Sequence, residues 1–141
     1  MQPYIWGKYL WPSMHYIALG YPDIPSETDI INYYNFFSNL WQVIPCYKCS
    51  LNYQKHLKEL PIDLYLSSKM KLFEWTVLVH NIVNKELDKT QISLEDALNI
   101  YINNNQIYFK NKFDYYYIIL LLIIFALIIY ILLIKTKKIK I

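Results

Sequence analysis

Residues 72–87 read LFEWTVLVHNIVNKEL, and this stretch has the clearest helical period in the chain. Apolar side chains recur in it every three or four residues, the spacing that keeps them on one face of an α-helix. These side chains are Leu72, Trp75, Leu78, Val79, Ile82, Val83 and Leu87. No segment of the chain shows the strict apolar–polar alternation that is typical of a half-buried strand. The stretch therefore predicts an all-α fold.

Four further helical segments are predicted within residues 1–102. The second follows an N-cap at Ser26, and the third ends before Pro61 because proline cannot continue a helix. Pro12 should lie near the start of the first helix or kink it. The predicted segments run from about 5 to 20, 26 to 40, 46 to 60 and 93 to 102. Together they predict a four-helix bundle with a short fifth helix.

Residues 115–134 form an uncharged apolar segment, YYYIILLLIIFALIIYILLI. Its length is sufficient to cross the hydrocarbon core of a bilayer as a helix. A buried core helix is the alternative, but this segment lacks the polar stripe that such a helix normally keeps. We predict a transmembrane helix over 115–134, after a linker at 103–114 and before a basic tail at 135–141.

The orientation of this span has two readings. A span close to the C-terminus without an N-terminal signal peptide favours a tail-anchored protein whose helical domain lies in the cytosol. The lysine-rich tail favours the opposite orientation under the positive-inside rule. We adopt the tail-anchored prediction.

The net charge is only +3, and much of it lies in the lysine-rich tail. This distribution suits binding to lipid headgroups and not to a nucleic acid.

Cys46 and Cys49 are the only two cysteines among 141 residues. Their C-x-x-C spacing permits a disulfide that can be reopened, and a helix N-terminus beside Lys48 would stabilise a thiolate. Half of a zinc site and inert thiols are the alternatives, but none of the three histidines has a recognisable zinc spacing with the pair. No βαβ pattern of a thioredoxin-like fold surrounds the cysteines. We expect a redox pair in an aromatic- and His-rich bundle that could hold a flavin.

Three ordered motifs resemble those of the Erv/ALR family of flavin-linked sulfhydryl oxidases. GKYLWPSMH at 7–15 resembles the opening G-[RK]-x-x-W-x-x-x-H, and IPCYKC at 44–49 resembles Y-P-C-x-x-C. HNIVNKELDK at 80–89 resembles H-N-x-V-N-x-x-L-G-K, with Asp88 in place of the glycine. The motifs span roughly residues 5–100, and their order makes the resemblance specific.

The resemblance implies a helical bundle that binds FAD, oxidises dithiols to disulfides and passes the electrons to O2, giving H2O2. Cys49 would face the flavin, and Cys46 would exchange with the incoming dithiol. The other implied cofactor-binding residues are Gly7, Lys8, Trp11, His15, His80, Asn81, Asn84 and Lys89. Trp11 and His15 would contact the rings of FAD, and Lys89 would approach its phosphates. On sequence alone, Trp11, His15 and His80 could instead be core residues, and Asn84 a solvent-facing one.

Further cysteines, which many members of that family carry, are absent here. Protein dithiols must then reach Cys46 directly, or a small dithiol relay protein must do so. The resemblance also implies a homodimer. A short form with a single C-x-x-C is most similar to the members of the family that large DNA viruses carry. This similarity suggests that the predicted anchor lies in a host or virion membrane. His56, between Lys55 and Lys58, is predicted to lie on a solvated helix face, and Tyr101 to substitute for a downstream tryptophan. The rival functions are a membrane-anchored helical interaction protein and a flavin-free thiol–disulfide exchange protein.

Overall fold

The computed structural model describes residues 1–103, 115–130 and 134. It contains two compact units, Met1–Tyr101 and Ile102–Ile141. The helices of the first unit are α1 (Pro3–Leu19), α2 (Glu27–Asn39), α3 (Tyr47–Glu59), α4 (Lys69–Glu86) and α5 (Leu94–Leu98). Short 3-10 turns at Leu40–Gln42 and Ile62–Tyr65 follow α2 and α3. The predicted all-α bundle of four helices with a short fifth is confirmed for this unit, in which the described residues form no strand.

Three predicted helix boundaries differ from the observed ones. α1 begins at Pro3, where the missing N–H of proline costs no helical hydrogen bond, and it continues through Pro12. α3 begins at Tyr47, one residue later than expected, because Cys46 has extended backbone and acts as the N-cap. α5 ends at Leu98, and a π-helical turn over Asn99–Asn103 continues it.

α4 is the central helix, packing against α1, the Ile62–Tyr65 turn and α5. It buries more of its circumference than the single stripe predicted from its sequence, since Phe73, Thr76 and Val77 are buried as well. Two members of the predicted stripe, Leu78 and Leu87, are exposed. A helix with neighbours on several sides cannot be described by one apolar face, and this accounts for the difference.

Large aromatic side chains fill the core, and their polar atoms find backbone partners. Trp75 is fully buried and donates from Nε1 to the carbonyl oxygen of Leu60 at 3.0 Å. The Tyr53 hydroxyl donates to Phe37 at 3.0 Å, and the Tyr21 hydroxyl donates to Leu66 at 2.8 Å. These bonds join α3 to α2 and the α1–α2 turn to the segment before α4. These three aromatic side chains thus add apolar burial while their own polar atoms remain hydrogen-bonded.

Asp88 ends α4 in the left-handed region, with φ of 53°. The N–H of Lys89 donates to the carbonyl oxygen of Asn84 at 2.8 Å, and the N–H of Asp88 donates to that of Lys85 at 3.2 Å. These two bonds form a Schellman motif, in which glycine is the usual left-handed residue. Asp88 can occupy this position because aspartate tolerates the left-handed conformation better than most residues.

The second unit contains a helix over 115–130, whose described side chains are all exposed. Among the residues that the structure describes, no helix is long and apolar enough to cross a membrane. Residues 131–133 of the predicted span lie outside the described residues, as do 104–114 of the predicted linker and the tail at 135–141. The predicted transmembrane helix is therefore not confirmed.

The left-handed conformation of Asp88 makes its substitution by glycine stabilising. We expect Asp88→Gly to raise the free energy of unfolding by about 0.5–1 kcal/mol, because glycine adopts positive φ without a Cβ penalty. Asp88→Ala is the matched control: it retains a Cβ, loses the carboxylate and should destabilise the chain. Urea unfolding followed by circular dichroism measures both. A glycine variant less stable than the alanine variant would contradict the assignment.

Candidate active site

Cys46 and Cys49 form a disulfide at the N-terminus of α3. Cys46 is the N-cap residue, and its Sγ accepts the backbone N–H of Cys49 at 3.2 Å. The predicted helix N-terminus is thus present, one residue later than expected. Both sulfurs lie within the first turn, where unpaired N–H groups favour negative charge on sulfur once the bond is reduced.

The two cysteines belong to different surroundings. Cys46 lies in the wall of a surface groove that also includes Tyr47, Ser50, Leu51 and Gln54 on α3. Cys49 shares the opposite helical face with Tyr53 and His56, which are 4% and 1% exposed. One sulfur is therefore placed toward the surface, and the other is placed on the face that enters the bundle.

A second cluster lies between α1 and α4. The Trp11 indole stacks on the His80 imidazole with ring centroids 4.2 Å apart and planes 5° apart. Behind this stack, Nε2 of His15 lies 3.2 Å from Nδ1 of His80, and Nδ1 of His15 lies 2.8 Å from Oγ1 of Thr76. His15 is fully buried, whereas His80 is half-buried. The structure thus brings together Trp11, His15 and His80 as one unit.

The hydrogen bonds fix the tautomers of both histidines. The Thr76 hydroxyl donates to the carbonyl oxygen of Phe73 at 2.7 Å, so its oxygen accepts from Nδ1–H of His15. Nε2 of His15 then has no proton and accepts from Nδ1–H of His80. As a result, Nε2 of neutral His80 is an acceptor. Thr76 sets this direction, and sequence analysis did not identify it, because a threonine within a helix carries no distinctive signal.

Both histidines are held neutral. Burial, followed by the neighbouring His80, lowers the pKa of His15 from 6.5 to about 3. Burial, followed by the positive charge of Lys89, lowers the pKa of His80 to about 4. At neutral pH the cluster is therefore an uncharged aromatic surface with a lysine ammonium nearby.

Of the remaining predicted positions on α1 and after α4, the structure links Lys89 to this stack. Gly7 precedes Trp11 by one helical turn, and a Cβ added to it would meet no atom within 4 Å. Lys8 is exposed, with Nζ 5.0 Å from the centroid of the Tyr9 ring. The effect of Lys89 on the pKa of His80 shows that its charge acts on the stack.

The two asparagines of α4 differ in their bonding. Asn81 donates to the carbonyl oxygen of Ile92 at 2.7 Å and accepts the N–H of Ile92 at 3.0 Å. It therefore clamps the segment before α5 onto α4. Asn84 is half-buried, and its backbone takes part in the Schellman motif after α4. Their direct contact with a cofactor remains a prediction.

The prediction that His56 lies on a solvated helix face is wrong. His56 is only 1% exposed, and its Nε2 lies 3.0 Å from Oε1 of Glu86 at the end of α4. Its Nδ1 is buried and has no hydrogen-bond partner within 1–103, 115–130 and 134. The flanking Lys55 and Lys58 suggested exposure, but His56 falls on the inner face with Tyr53. Its position three residues after a buried tyrosine was the overlooked signal.

Tyr101 packs against the buried end of the cluster. Its ring centroid lies 4.6 Å from that of His15 and 6.2 Å from that of Phe73. The ring also meets Tyr16 edge to face at 5.4 Å. The π-helical turn thus adds an aromatic side chain behind His15. This contact is compatible with the predicted substitution of Tyr101 for a downstream tryptophan.

Comparison with known proteins gives a consistent result. Residues 8–105 match the model of the Erv1 / Alr family. A probable FAD-linked sulfhydryl oxidase of Acanthamoeba polyphaga mimivirus is 42% identical over 99 residues, covering 70% of this chain and 69% of the relative. The FAD-linked sulfhydryl oxidase of African swine fever virus (isolate Pig/Kenya/KEN-50/1950) is 30% identical over 96 residues, covering 68% and 79%.

The fold is also similar to a solved structure of this kind. The crystal structure of the FAD binding domain of Erv1 from Saccharomyces cerevisiae matches with a TM-score of 0.68 over 73% of this chain and 96% of that one. The sequence identity is 23%, so this similarity concerns the fold alone. Because the family model covers most of the chain and includes both cysteines and the α1–α4 cluster, the chain belongs to the Erv1 / Alr family.

Proposed function

We propose that this chain is an FAD-dependent thiol oxidase that forms disulfide bonds in protein substrates. The observation that carries the proposal is the Cys46–Cys49 disulfide at the N-terminus of α3, within a segment that matches a family of sulfhydryl oxidases. The relatives from mimivirus and African swine fever virus are named FAD-linked sulfhydryl oxidases. Bound FAD would accept the electrons that the cysteine pair takes from the substrate dithiol and would pass them to O2, giving H2O2.

The residues present fit FAD. The Trp11–His80 stack offers flat, uncharged ring surfaces to the aromatic parts of the cofactor, and Lys89 supplies positive charge for its phosphates. Nε1 of Trp6 and Nδ1 of His56 are buried and have no hydrogen-bond partner among the residues that the structure describes, and a polar ligand would satisfy them. Gly7 leaves open space beside α1. Bound FAD supplies the two-electron oxidation of the reduced cysteine pair.

Each cofactor-binding residue receives a task in this proposal. Trp11 and His80 would hold an aromatic ring of FAD, and Nε2 of His80 would be available to accept a hydrogen bond. His15 uses both ring nitrogens within the protein, so it would position His80 through its hydrogen bond and would contact FAD through its ring carbons. The other proposed contacts are Gly7, Lys8, Asn81, Asn84 and Lys89. Glu86 orients His56 through Nε2, which leaves Nδ1 as an acceptor.

The cysteine pair oxidises a substrate dithiol in two thiol–disulfide exchanges. A substrate thiolate attacks Sγ of Cys46, a mixed disulfide forms, and the Cys46–Cys49 bond breaks with its electron pair on Cys49. The second substrate thiolate then attacks the substrate sulfur of the mixed disulfide and releases Cys46 as a thiolate. The substrate leaves as a disulfide with two electrons fewer, and the cysteine pair is left as a dithiol beside the cofactor.

The first turn of α3 assists both exchanges. Cys49 lies at the third helical position and Cys46 at the N-cap, so each sulfur leaves at the positive end of the helix. The N–H of Cys49 already points at Sγ of Cys46. A charge-assisted hydrogen bond of this kind strengthens when the sulfur becomes a thiolate. A sulfur whose thiolate is stabilised in this way is a better leaving group in thiol–disulfide exchange.

The rival functions account for fewer of the observations. A helical interaction protein has no need of a neutral histidine pair aligned by Thr76 and stacked on Trp11. A flavin-free exchange protein needs the cysteine pair but leaves the α1–α4 cluster unused. The match over residues 8–105 covers both parts. The oxidase proposal uses both.

The proposal extends to membrane and assembly. We place a tail anchor at 115–134 in a host or virion membrane of a large DNA virus, with the enzyme domain (1–102) in the cytosol and 103–114 as linker. The described side chains of 115–130 are uncharged and exposed, as lipid contact requires.

The proposed assembly is a homodimer. Exposed Ile31 and Tyr34 on α2 offer an apolar face for it, and sedimentation velocity would test this state. Substrates are protein dithiols or a small dithiol relay protein.

The full chain, purified in detergent, should be yellow and should consume O2 when given dithiothreitol. Cys46→Ser and Cys49→Ser should each lower this turnover about 100-fold or more, because neither variant can form the internal disulfide. Both variants should keep bound FAD, which the flavin absorbance measures. A folded but colourless protein would reject the flavin, and undiminished turnover in both variants would reject the role of the pair.

Thr76 should control FAD affinity through the direction of the histidine hydrogen bonds. Thr76→Val removes the acceptor for His15 and should weaken FAD binding about 2- to 10-fold, the effect of one hydrogen bond. Thr76→Ser keeps the hydroxyl and is the matched control. Flavin fluorescence titrated against the apoprotein gives the Kd without reference to turnover. Equal Kd values for the valine variant and the wild type would contradict this role.

The full chain should float with neutral phospholipid vesicles in a density gradient containing 1 M salt, which screens the lysines of the tail. A double substitution, Leu122→Arg with Ile123→Arg, should abolish flotation because each arginine at the centre of a span costs about 3 kcal/mol. The control is Leu64→Arg, an exposed leucine of the first unit. Flotation of the double variant at wild-type level would refute the anchor.

A further inference from the structure

The groove that contains Cys46 lies between the Leu40–Gln42 turn, the Ile44–Pro45 segment and the outer face of α3. Its volume is about 560 Å³, within the range of ligand-binding clefts. Apolar surface is contributed by Trp41, Ile44, Tyr47 and Leu51, and polar groups by Ser50 and Gln54. Cys49 is not among the residues that line it.

The two walls of the groove are tied together. The Ser50 hydroxyl on α3 donates to the carbonyl oxygen of Trp41 at 2.8 Å. The bond holds the Leu40–Gln42 turn against the first half of α3, so the groove needs no rearrangement to accept a partner. Binding to a preformed site avoids the entropy cost of ordering loops.

The charge of the groove restricts what can bind. Among its lining residues that the structure describes, no Asp, Glu, Lys or Arg side chain is present. The charged group there is the α-ammonium of Met1, which donates to the carbonyl oxygen of Pro45 at 3.0 Å. A charged side chain placed in the groove would lose hydration without gaining an ion pair from a lining side chain, and the Met1 ammonium already donates to Pro45. Uncharged side chains fit it better.

The occupant must bring its own thiol. Cys46 and Cys49 are the only cysteines of the chain and are bonded to each other, so no other segment of this chain can react with Cys46.

The length of the groove fits a short extended peptide. From Tyr47 to Gln54 its wall extends about 10 Å along α3, the length of about three extended residues. The amide of Gln54 can both donate to and accept from a peptide backbone.

We propose that this groove binds an extended segment of the substrate protein whose residues next to the reactive cysteine are uncharged. Leu51 and Gln54 determine this specificity by contacting the residues that flank the cysteine. The segment presents its thiolate to Sγ of Cys46, and the bonds then form and break as in the exchanges given above. The inference rests on the proposed oxidase function and adds the substrate class.

Charge substitutions at Leu51 test the contact. Three dithiol peptides are compared that differ only in the residues beside the first cysteine: uncharged, Glu or Lys. For each peptide, kcat/KM is divided by the kcat/KM of the same enzyme variant for dithiothreitol. This ratio removes any effect that a Leu51 substitution has on the reactivity of Cys46 and Cys49. The wild type should prefer the uncharged peptide. Leu51→Glu should shift the preference about 2- to 5-fold toward the Lys peptide, and Leu51→Lys should shift it equally toward the Glu peptide.

Leu64→Glu and Leu64→Lys are the matched controls, because Leu64 is an exposed leucine outside the groove. They should leave the peptide preference unchanged. Shifts of the same size in the Leu64 variants would overturn the proposal. Loss of bound FAD in the Leu51 variants would also overturn it and would assign the groove to the cofactor. Loss of dimer mass in those variants would overturn it too and would assign the groove to a second copy of the chain. A wild type that oxidises dithiothreitol but treats all peptides alike overturns this inference alone. A wild type that oxidises no dithiol overturns the proposed function with it.

Discussion

The packing of α1 against α4 is the constraint on which the site depends, because it fully buries His15 and half-buries His80, two histidines that are held neutral. Thr76 accepts from His15, and His15 accepts from His80, so the protons have one direction along the row. Protonating either ring would place a charge in a desolvated position beside another imidazole or a lysine. Neutrality lets His80 stack flat against Trp11, and it leaves the outer ring nitrogen as an acceptor.

α1 connects this cluster to the cysteines by using two of its faces. Trp6, Leu10 and Ser13 line a cavity of about 320 Å³ together with Ile44 and Pro45, immediately before Cys46. Trp11 and His15 face α4. A single helix therefore contributes side chains both to the α1–α4 cluster and to the cavity beside the segment that precedes the disulfide.

α3 separates the two sulfurs by simple helix geometry. With Cys46 as the N-cap and Cys49 three residues later, the first sulfur joins the groove side and the second joins the face that carries His56. A pair of equivalent thiols thus acquires distinct neighbours without any further device. The same turn caps the helix, so the redox pair is part of the secondary structure and any change in the sulfur chemistry acts on the start of α3.

The sequence by itself determined the helical class, the approximate helices and the family, because 3.6-residue periodicity, proline positions and motif spacing are local properties. It also identified the cysteine pair at a helix start. Only the tertiary structure decided that His56 is buried against Glu86, that Asn81 clamps Ile92 and that Thr76 orients the histidines. These contacts join residues that are 11 to 61 positions apart in the sequence, so local patterns do not reveal them. In a helix with several neighbours, the buried residues also occupy more than the one face that periodicity predicts. The left-handed Asp88 was likewise decided by hydrogen bonds at the end of α4, which make the conformation favourable despite the missing glycine.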